Sequence, residues 1–197
     1  MQYTIFGLGN PGEEYKETRH NTGRMALVTF AKKVDATEWK EGMKEKALTS
    51  KAKVGKNTVL MFMPETFMNK SGNSVGAVVK SKKDALNMIV IHDDMDLPMG
   101  KFKISFNKSS GGHKGVESVI KAAKTQEFTR VRVGVCPTTP SGKLKKPQGD
   151  DILDFIVGPF KKPEAEVMKK TFKKVAEAIE SIVADGREIA MGKWNSQ

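Results

Sequence analysis

The chain holds only three histidines, His20, His92 and His113. Imidazole changes charge near neutral pH, so each is a candidate proton carrier. His92 opens the run His92-Asp93-Asp94-Met95-Asp96, directly after a short apolar stretch. Clustered carboxylates could hold Mg²⁺ through oxygen ligands, or one of them could orient a histidine. The bland alternative is a solvated acidic turn. In a chain with a net charge of +11, an acidic knot beside a buried strand is a local exception. His20 lies in Thr18-Arg19-His20-Asn21-Thr22-Gly23, just before a predicted helix, where a polar residue could simply cap that helix. His113 follows Gly111-Gly112 and is equally compatible with a structural role. Residue types alone leave the choice among the three open.

Two further motifs fail on context. Gly7-Leu8-Gly9-Asn10-Pro11-Gly12 matches the dinucleotide fingerprint and follows a strand pattern. That fingerprint needs a helix starting within the glycines, and Pro11 removes one of the amides that would face a pyrophosphate. A loop that uses glycine for tight backbone turns is the better account. Gly72-Asn73-Ser74-Val75-Gly76 spells a nucleophile elbow, which requires a strand directly before the serine. Here Pro64 and a turn-like segment intervene, so Ser74 is expected inside a helix.

The elements that must position these groups follow from periodicity. Residues 3–8 are apolar and β-prone. Residues 22–34 carry Met25, Leu27, Val28, Phe30, Ala31 and Val34 at helical spacing. Residues 47–54 and 58–63 read as a hairpin around Gly55-Lys56-Asn57. Residues 71–81 form a short helix, and 88–91 a buried strand ended by the carboxylates. Residues 101–106 alternate charged and apolar side chains, as an edge or half-exposed strand does. A helix is predicted over 114–123 and a strand over 130–135. Residues 138–149, rich in Thr, Pro, Gly and Lys, form a long loop that could cover a site. The clearest helix is 163–185, where Met168, Phe172, Val175, Ile179 and Ile182 make one stripe between Pro163 in the first turn and Gly186 as cap. Strands alternating with helices predict an α/β fold: a single compact domain over residues 1–197, its mixed, twisted sheet flanked by helices.

Composition bounds the function. The 197 residues suffice for one ordinary domain. Cys136 is the sole cysteine, which excludes an internal disulfide framework. The most apolar runs, 59–63 and 88–91, fall far short of the ~20 residues of a membrane-spanning helix, and the N-terminus enters a strand pattern without a signal-peptide profile. A cytoplasmic protein is expected. The 34 basic residues against 23 acidic ones are unevenly spread. Residues 101–132 hold eight of the former (Lys101, Lys103, Lys108, Lys114, Lys121, Lys124, Arg130 and Arg132) and two of the latter. Such a cluster favours a polyanionic partner over mere solubility.

Taken in order, these segments resemble one family, the bacterial peptidyl-tRNA hydrolases. The landmarks are Gly7-Leu8-Gly9-Asn10-Pro11-Gly12 with Tyr15, Thr18-Arg19-His20-Asn21, and Pro64-Glu65-Thr66-Phe67-Met68-Asn69-Lys70-Ser71-Gly72. They continue through His92-Asp93-Asp94-Met95-Asp96-Leu97-Pro98, Gly111-Gly112-His113-Lys114-Gly115 and Arg130-Val131-Arg132-Val133-Gly134. The resemblance implies a monomeric α/β enzyme without metal or other cofactor. It would cleave the ester between a peptide's C-terminal carbonyl and the 3′-terminal ribose of tRNA, recycling tRNA from stalled ribosomes. By the same resemblance His20 is the catalytic base, Asp93 its support, and Asn10 and Asn69 line the site, while Tyr15 and Phe67 contact the tRNA end or its peptide. Two positions depart from the family pattern. Lys114 stands where an asparagine is usual; pointing inward it would pair with Asp93 or a phosphate, pointing outward it would leave its role to water. Ser105 stands where many relatives carry a basic residue that clamps the tRNA 5′-phosphate, leaving Lys103, Lys108 and Arg132 as candidates.

The expected chemistry is water attack on the ester, with neutral His20 taking the proton and Asp93 holding the other ring nitrogen. Two alternatives remain at this point. One is a metal-dependent phosphoesterase or nuclease using Asp93, Asp94 and Asp96; the other is an RNA-binding module without chemistry.

Overall fold

A computed structural model describes residues 1–196. Its centre is a seven-stranded sheet. The strands are β1 (Gln2–Gly7), β2 (Lys40–Gly42), β3 (Ala47–Val54), β4 (Asn57–Pro64), β5 (Met88–Pro98), β6 (Phe102–Phe106) and β7 (Thr129–Cys136), in the order β2-β3-β4-β1-β5-β7-β6. The middle of the sheet, β4-β1-β5-β7, is parallel, and the outer pairings are antiparallel. The predicted mixed sheet is thus realised, with the alternating strand β6 at one edge.

Helices cover both faces: α1 (Thr22–Lys33), α6 (Lys162–Asp185) and α7 (Arg187–Trp194) on one, α2 (Gly72–Val78), α3 (Lys82–Leu86) and α4 (Lys114–Ala123) on the other. Strand alternation sorts the core. Ile5, Ile89 and Ile91 pack toward α1 and α6, while Phe6, Met88 and Val90 pack toward α2 and α4. The whole predicted stripe of α6 is buried, each side chain contributing roughly 1.5–3 kcal/mol. No helix among the described residues is long and apolar enough to cross a membrane.

The structure corrects four expectations. The predicted helix over 71–81 ends at Val78, and Ser81 instead caps α3 through a reciprocal bond pair with Asp84. Strand β5 does not stop at the carboxylates. It runs through them to Pro98, held by parallel pairing with β7 that shifts register between Asp94 and Pro98. Residues 138–149 are followed by an unforeseen helix, α5 (Asp151–Val157). Of the glycines at the end of β1, Gly7 and Gly9 serve close packing, while Gly12, with φ at 108°, takes the predicted tight turn. A side-chain carbon at Gly7 would lie 2.6 Å from the Gly23 carbonyl oxygen, so the start of α1 rests directly on the end of β1.

Candidate active site

Three segments converge where the parallel strands end. A 3₁₀ turn, Arg19–Asn21, brings His20 in ahead of α1. Strand β5 supplies Asp93, and the residue preceding α4 is His113. Asp93 is 3% exposed. Its carboxylate accepts a bond from His20 Nδ1 at 3.0 Å and from His113 Nε2 at 2.9 Å. His20 does not cap α1. Asn21 precedes that helix and turns its own amide to the main chain of Asn10, donating from Nδ2 at 2.9 Å and accepting at Oδ1 at 2.8 Å.

The tautomers follow from the partners. His113 Nδ1 accepts two main-chain N–H bonds, from Gly115 at 3.1 Å and Val116 at 3.2 Å, and so caps α4. Its ring proton therefore sits on Nε2 and is donated to Asp93. His20 donates from Nδ1, which leaves the lone pair of its neutral ring on Nε2. Burial would raise the Asp93 pKa, but the two imidazoles outweigh it and hold the carboxyl far below the usual range. For His20, burial pulls downward, and the Asp93 charge and hydrogen bond more than compensate, so its pKa stands above the ordinary imidazole value. His92 differs from both. Burial, with His113 and Arg130 nearby, pushes it well down and keeps it neutral, while its Nδ1 donates to the Asp93 carbonyl at 2.7 Å.

His20, Asp93 and His113 offer ligand atoms within 4.8 Å of one another, the composition of a two-histidine, one-carboxylate metal site. The cap on α4 argues against that use. A metal on His113 Nε2 would force the ring proton onto Nδ1, against two N–H donors. The three-aspartate alternative is not assembled either. Asp94 pairs with Arg132 Nε at 2.6 Å and Asp96 with Lys146 at 2.5 Å, so each of these carboxylates is held by a cation of its own. Ser74 lies in α2 and donates to the Lys46 carbonyl, so it is no elbow nucleophile.

His20, Asp93 and His113 line a cavity of about 1150 Å³. The lining also includes the expected Lys103, Lys108 and Arg132. It also includes Arg130, 3% exposed and hydrogen-bonded to no described residue, and Ser105, whose buried Oγ has no partner among the described residues. These two stand directly opposite each other in the β6–β7 pairing, as Lys103 and Arg132 do. The alternation of Arg130-Val131-Arg132-Val133 already placed both arginines on one face, and that signal could have identified Arg130. Lys146, Ile152 and Leu153, from 138–149 and α5, complete the lining.

The remaining expected residues spread outward. Asn10 lies beside the cluster, its Oδ1 accepting from Met68 N–H at 2.8 Å, which leaves its NH₂ free to donate. Asn69 is exposed and lines a neighbouring groove with Lys70 and Lys121. Phe67 is 56% exposed, and Tyr15 is half-buried in a 3₁₀ turn, Glu13–Tyr15. Lys114 takes the outward option. It is 77% exposed, 4.0 Å from Glu117, while both oxygens of Asp93 belong to the histidines.

Comparison with known proteins agrees with this geometry. The sequence profile of the family described as Peptidyl-tRNA hydrolase matches residues 4–197. The peptidyl-tRNA hydrolase of Alkaliphilus oremlandii is 39% identical over 194 residues, covering 98% of this chain and 99% of that protein. That of Aquifex aeolicus is 37% identical over 196 residues, covering 98% and 96%. The crystal structure of peptidyl-tRNA hydrolase from Acinetobacter baumannii superposes with a TM-score of 0.86 at 26% identity, covering 98% of this chain and 94% of that one.

Proposed function

The chain belongs to the peptidyl-tRNA hydrolase family, and from that premise we propose that its cavity hydrolyses the ester of peptidyl-tRNA by base catalysis at His20. The observation that carries this reading is the Asp93 carboxylate held between two imidazoles. With Nδ1 committed to Asp93, His20 Nε2 takes the proton of a water as that water attacks the ester carbonyl. The imidazolium that forms is stabilised by the adjacent carboxylate. His113, fixed as a donor by the α4 cap, keeps Asp93 ionised and oriented. The free amide of Asn10 can donate to the peptide or to the oxygen that gains charge, an interaction worth roughly 3–4 kcal/mol per donor in known enzymes. Collapse of the tetrahedral intermediate expels the 3′-oxygen of the terminal ribose, which regains a proton from His20.

The cationic wall suits the phosphates of the acceptor end, through Lys103, Lys108 and Arg132 and, in addition, Arg130 with Ser105. Tyr15, Phe67 and Asn69 would meet the terminal nucleotides or the peptide at the rim, and Lys114, exposed where the cavity meets the neighbouring groove, a phosphate. Residues 138–149 would act as a cover. We further propose that the chain works as a single-domain monomer in the cytoplasm, recycling tRNA released by stalled ribosomes. Turnover of an N-blocked aminoacyl-tRNA tests the central reading. His20→Ala is expected to lower kcat by about 10²–10⁴-fold while tRNA binding persists. Near-normal turnover by that variant would remove His20 from the mechanism.

A further inference from the structure

Three consecutive residues of the 3₁₀ turn reach in three directions. Asn21 holds the loop of Asn10 and His20 holds Asp93. Arg19 turns the other way, toward the segment where α5 ends and α6 begins. Its Nη1 donates to the carbonyl oxygens of Phe155 at 3.3 Å, Gly158 at 3.2 Å and Pro159 at 3.1 Å. Its Nη2 meets Glu164 at 2.7 Å. The guanidinium carbon sits 4.5 Å from the centre of the Phe155 ring. The main chain repeats the connection, with Arg19 N–H donating to Gly158 and Phe160 N–H donating to Glu17, each at 3.1 Å. Glu164 is itself fixed, accepting from Lys161 N–H at the head of α6.

A 3₁₀ turn of three residues has little stability of its own, so its anchors set its geometry. Among those anchors Arg19 is the one that reaches the root of the cover, since α5, which lines the cavity, ends at Val157 with Gly158 as its C-cap. We propose that Arg19 is a positioning residue for His20. Its guanidinium joins the catalytic turn and the root of the cover into one rigid unit, so that the His20 ring is held against Asp93 only while the contacts to residues 155–164 are complete. Lysine cannot replace it, because a single ammonium cannot span three carbonyls and a carboxylate. The effect on rate rests on His20 being the base; the effect on the His20 ring does not.

The titratable groups facing His20 are Asp93 from β5 and His113 from the head of α4, whose ring centroid is 5.3 Å away. The test follows the His20 ring by NMR titration, together with kcat and KM on N-blocked peptidyl-tRNA and the melting temperature, in Arg19→Lys, Glu164→Gln and Phe155→Leu. In Arg19→Lys the His20 titration moves down toward that of free imidazole as Asp93 loses its hold. Its kcat falls about tenfold or more and KM stays within about twofold. Glu164→Gln, which keeps the shape and an acceptor, gives a smaller change of the same sign, and Phe155→Leu one smaller still. A lowered melting temperature with the titration and the kcat of folded protein unchanged makes Arg19 merely structural and overturns the proposal. Should Arg19→Lys fail to fold, an unmoved titration in Glu164→Gln does the same. A shifted titration with unchanged kcat upholds the positioning and removes His20 as the base.

Discussion

Two parts of the cavity lining are built on opposite principles. The hydrogen bonding of the Asp93 carboxylate is complete. Both carboxylate oxygens are taken, and His113 is committed at each ring nitrogen. Elsewhere in the lining, Arg130 makes no hydrogen bond to a described residue and has only the charge of Asp94 to attract it, and the buried Ser105 hydroxyl has no partner among the described residues. A closed network fixes geometry before substrate arrives, as base catalysis requires. An open one keeps donors available that an incoming anion can satisfy, at a cost to the empty protein. Chemistry and affinity are thereby separated into regions that respond differently to the same kind of substitution.

The sharpest way to break this contrast is at Asp93. Asp93→Asn removes the charge that raises His20, so kcat is expected to fall by about 10²-fold or more. The sign of the pH dependence is fixed. His20 works as the neutral base, and its pKa stands above the ordinary 6.5, so wild-type activity rises with pH around a midpoint above that value. Without the carboxylate, burial dominates and the midpoint moves down; pH–rate profiles of both proteins check this. An unshifted midpoint would mean that the pair is not coupled. The stability linkage runs the other way from the rate. The raised His20 stabilises the fold below about pH 6.5, and that contribution is lost as pH rises through the folded value. The depressed Asp93 contributes above about pH 4, and its share fades as pH falls further.

Arg130→Met should behave in the reverse sense. Removing a buried cation that makes no hydrogen bond, and whose burial and Arg132 neighbour outweigh the pull of Asp94, is expected to raise stability by about 1 kcal/mol. The same change should weaken tRNA binding by about tenfold, lower the salt slope of log K by roughly 0.7–0.9, and leave saturated kcat unchanged. Thermal unfolding and binding at several salt concentrations read both effects. A destabilised variant with normal affinity would erase the distinction between the two walls. At the small end, Lys114→Asn lies outside both networks and should change kcat by less than about twofold, measured in the same turnover assay.

Much of this was legible in the residues, for identifiable reasons. Long stripes such as that of α6, and alternation in β6 and β7, survive because core packing enforces them. The pairing of His20 with Asp93 was reached through motif order, since their separation of 73 positions carries no local signal. His113 escaped because its role depends on a helix cap and a strand end meeting in space. Arg130 was counted among the charges and not singled out, since its burial is set by the neighbouring strand and the cover. Helix α5 is too short, and too close to the Pro- and Gly-rich loop, for its period to emerge. The acidic run looked like a strand terminus because carboxylates rarely sit in a buried strand. Here His20, His113, Arg132 and Lys146 each take one of them.

Gly23 bears on how such an enzyme fails. A methyl group there would collide with the Ile91 carbonyl oxygen and with the main chain of Leu8, none of which can yield. Helix α1 would lift off the sheet and drag the preceding turn with it. A random screen for inactive mutants would therefore return position 23, a residue that never touches water or ester, alongside those that do.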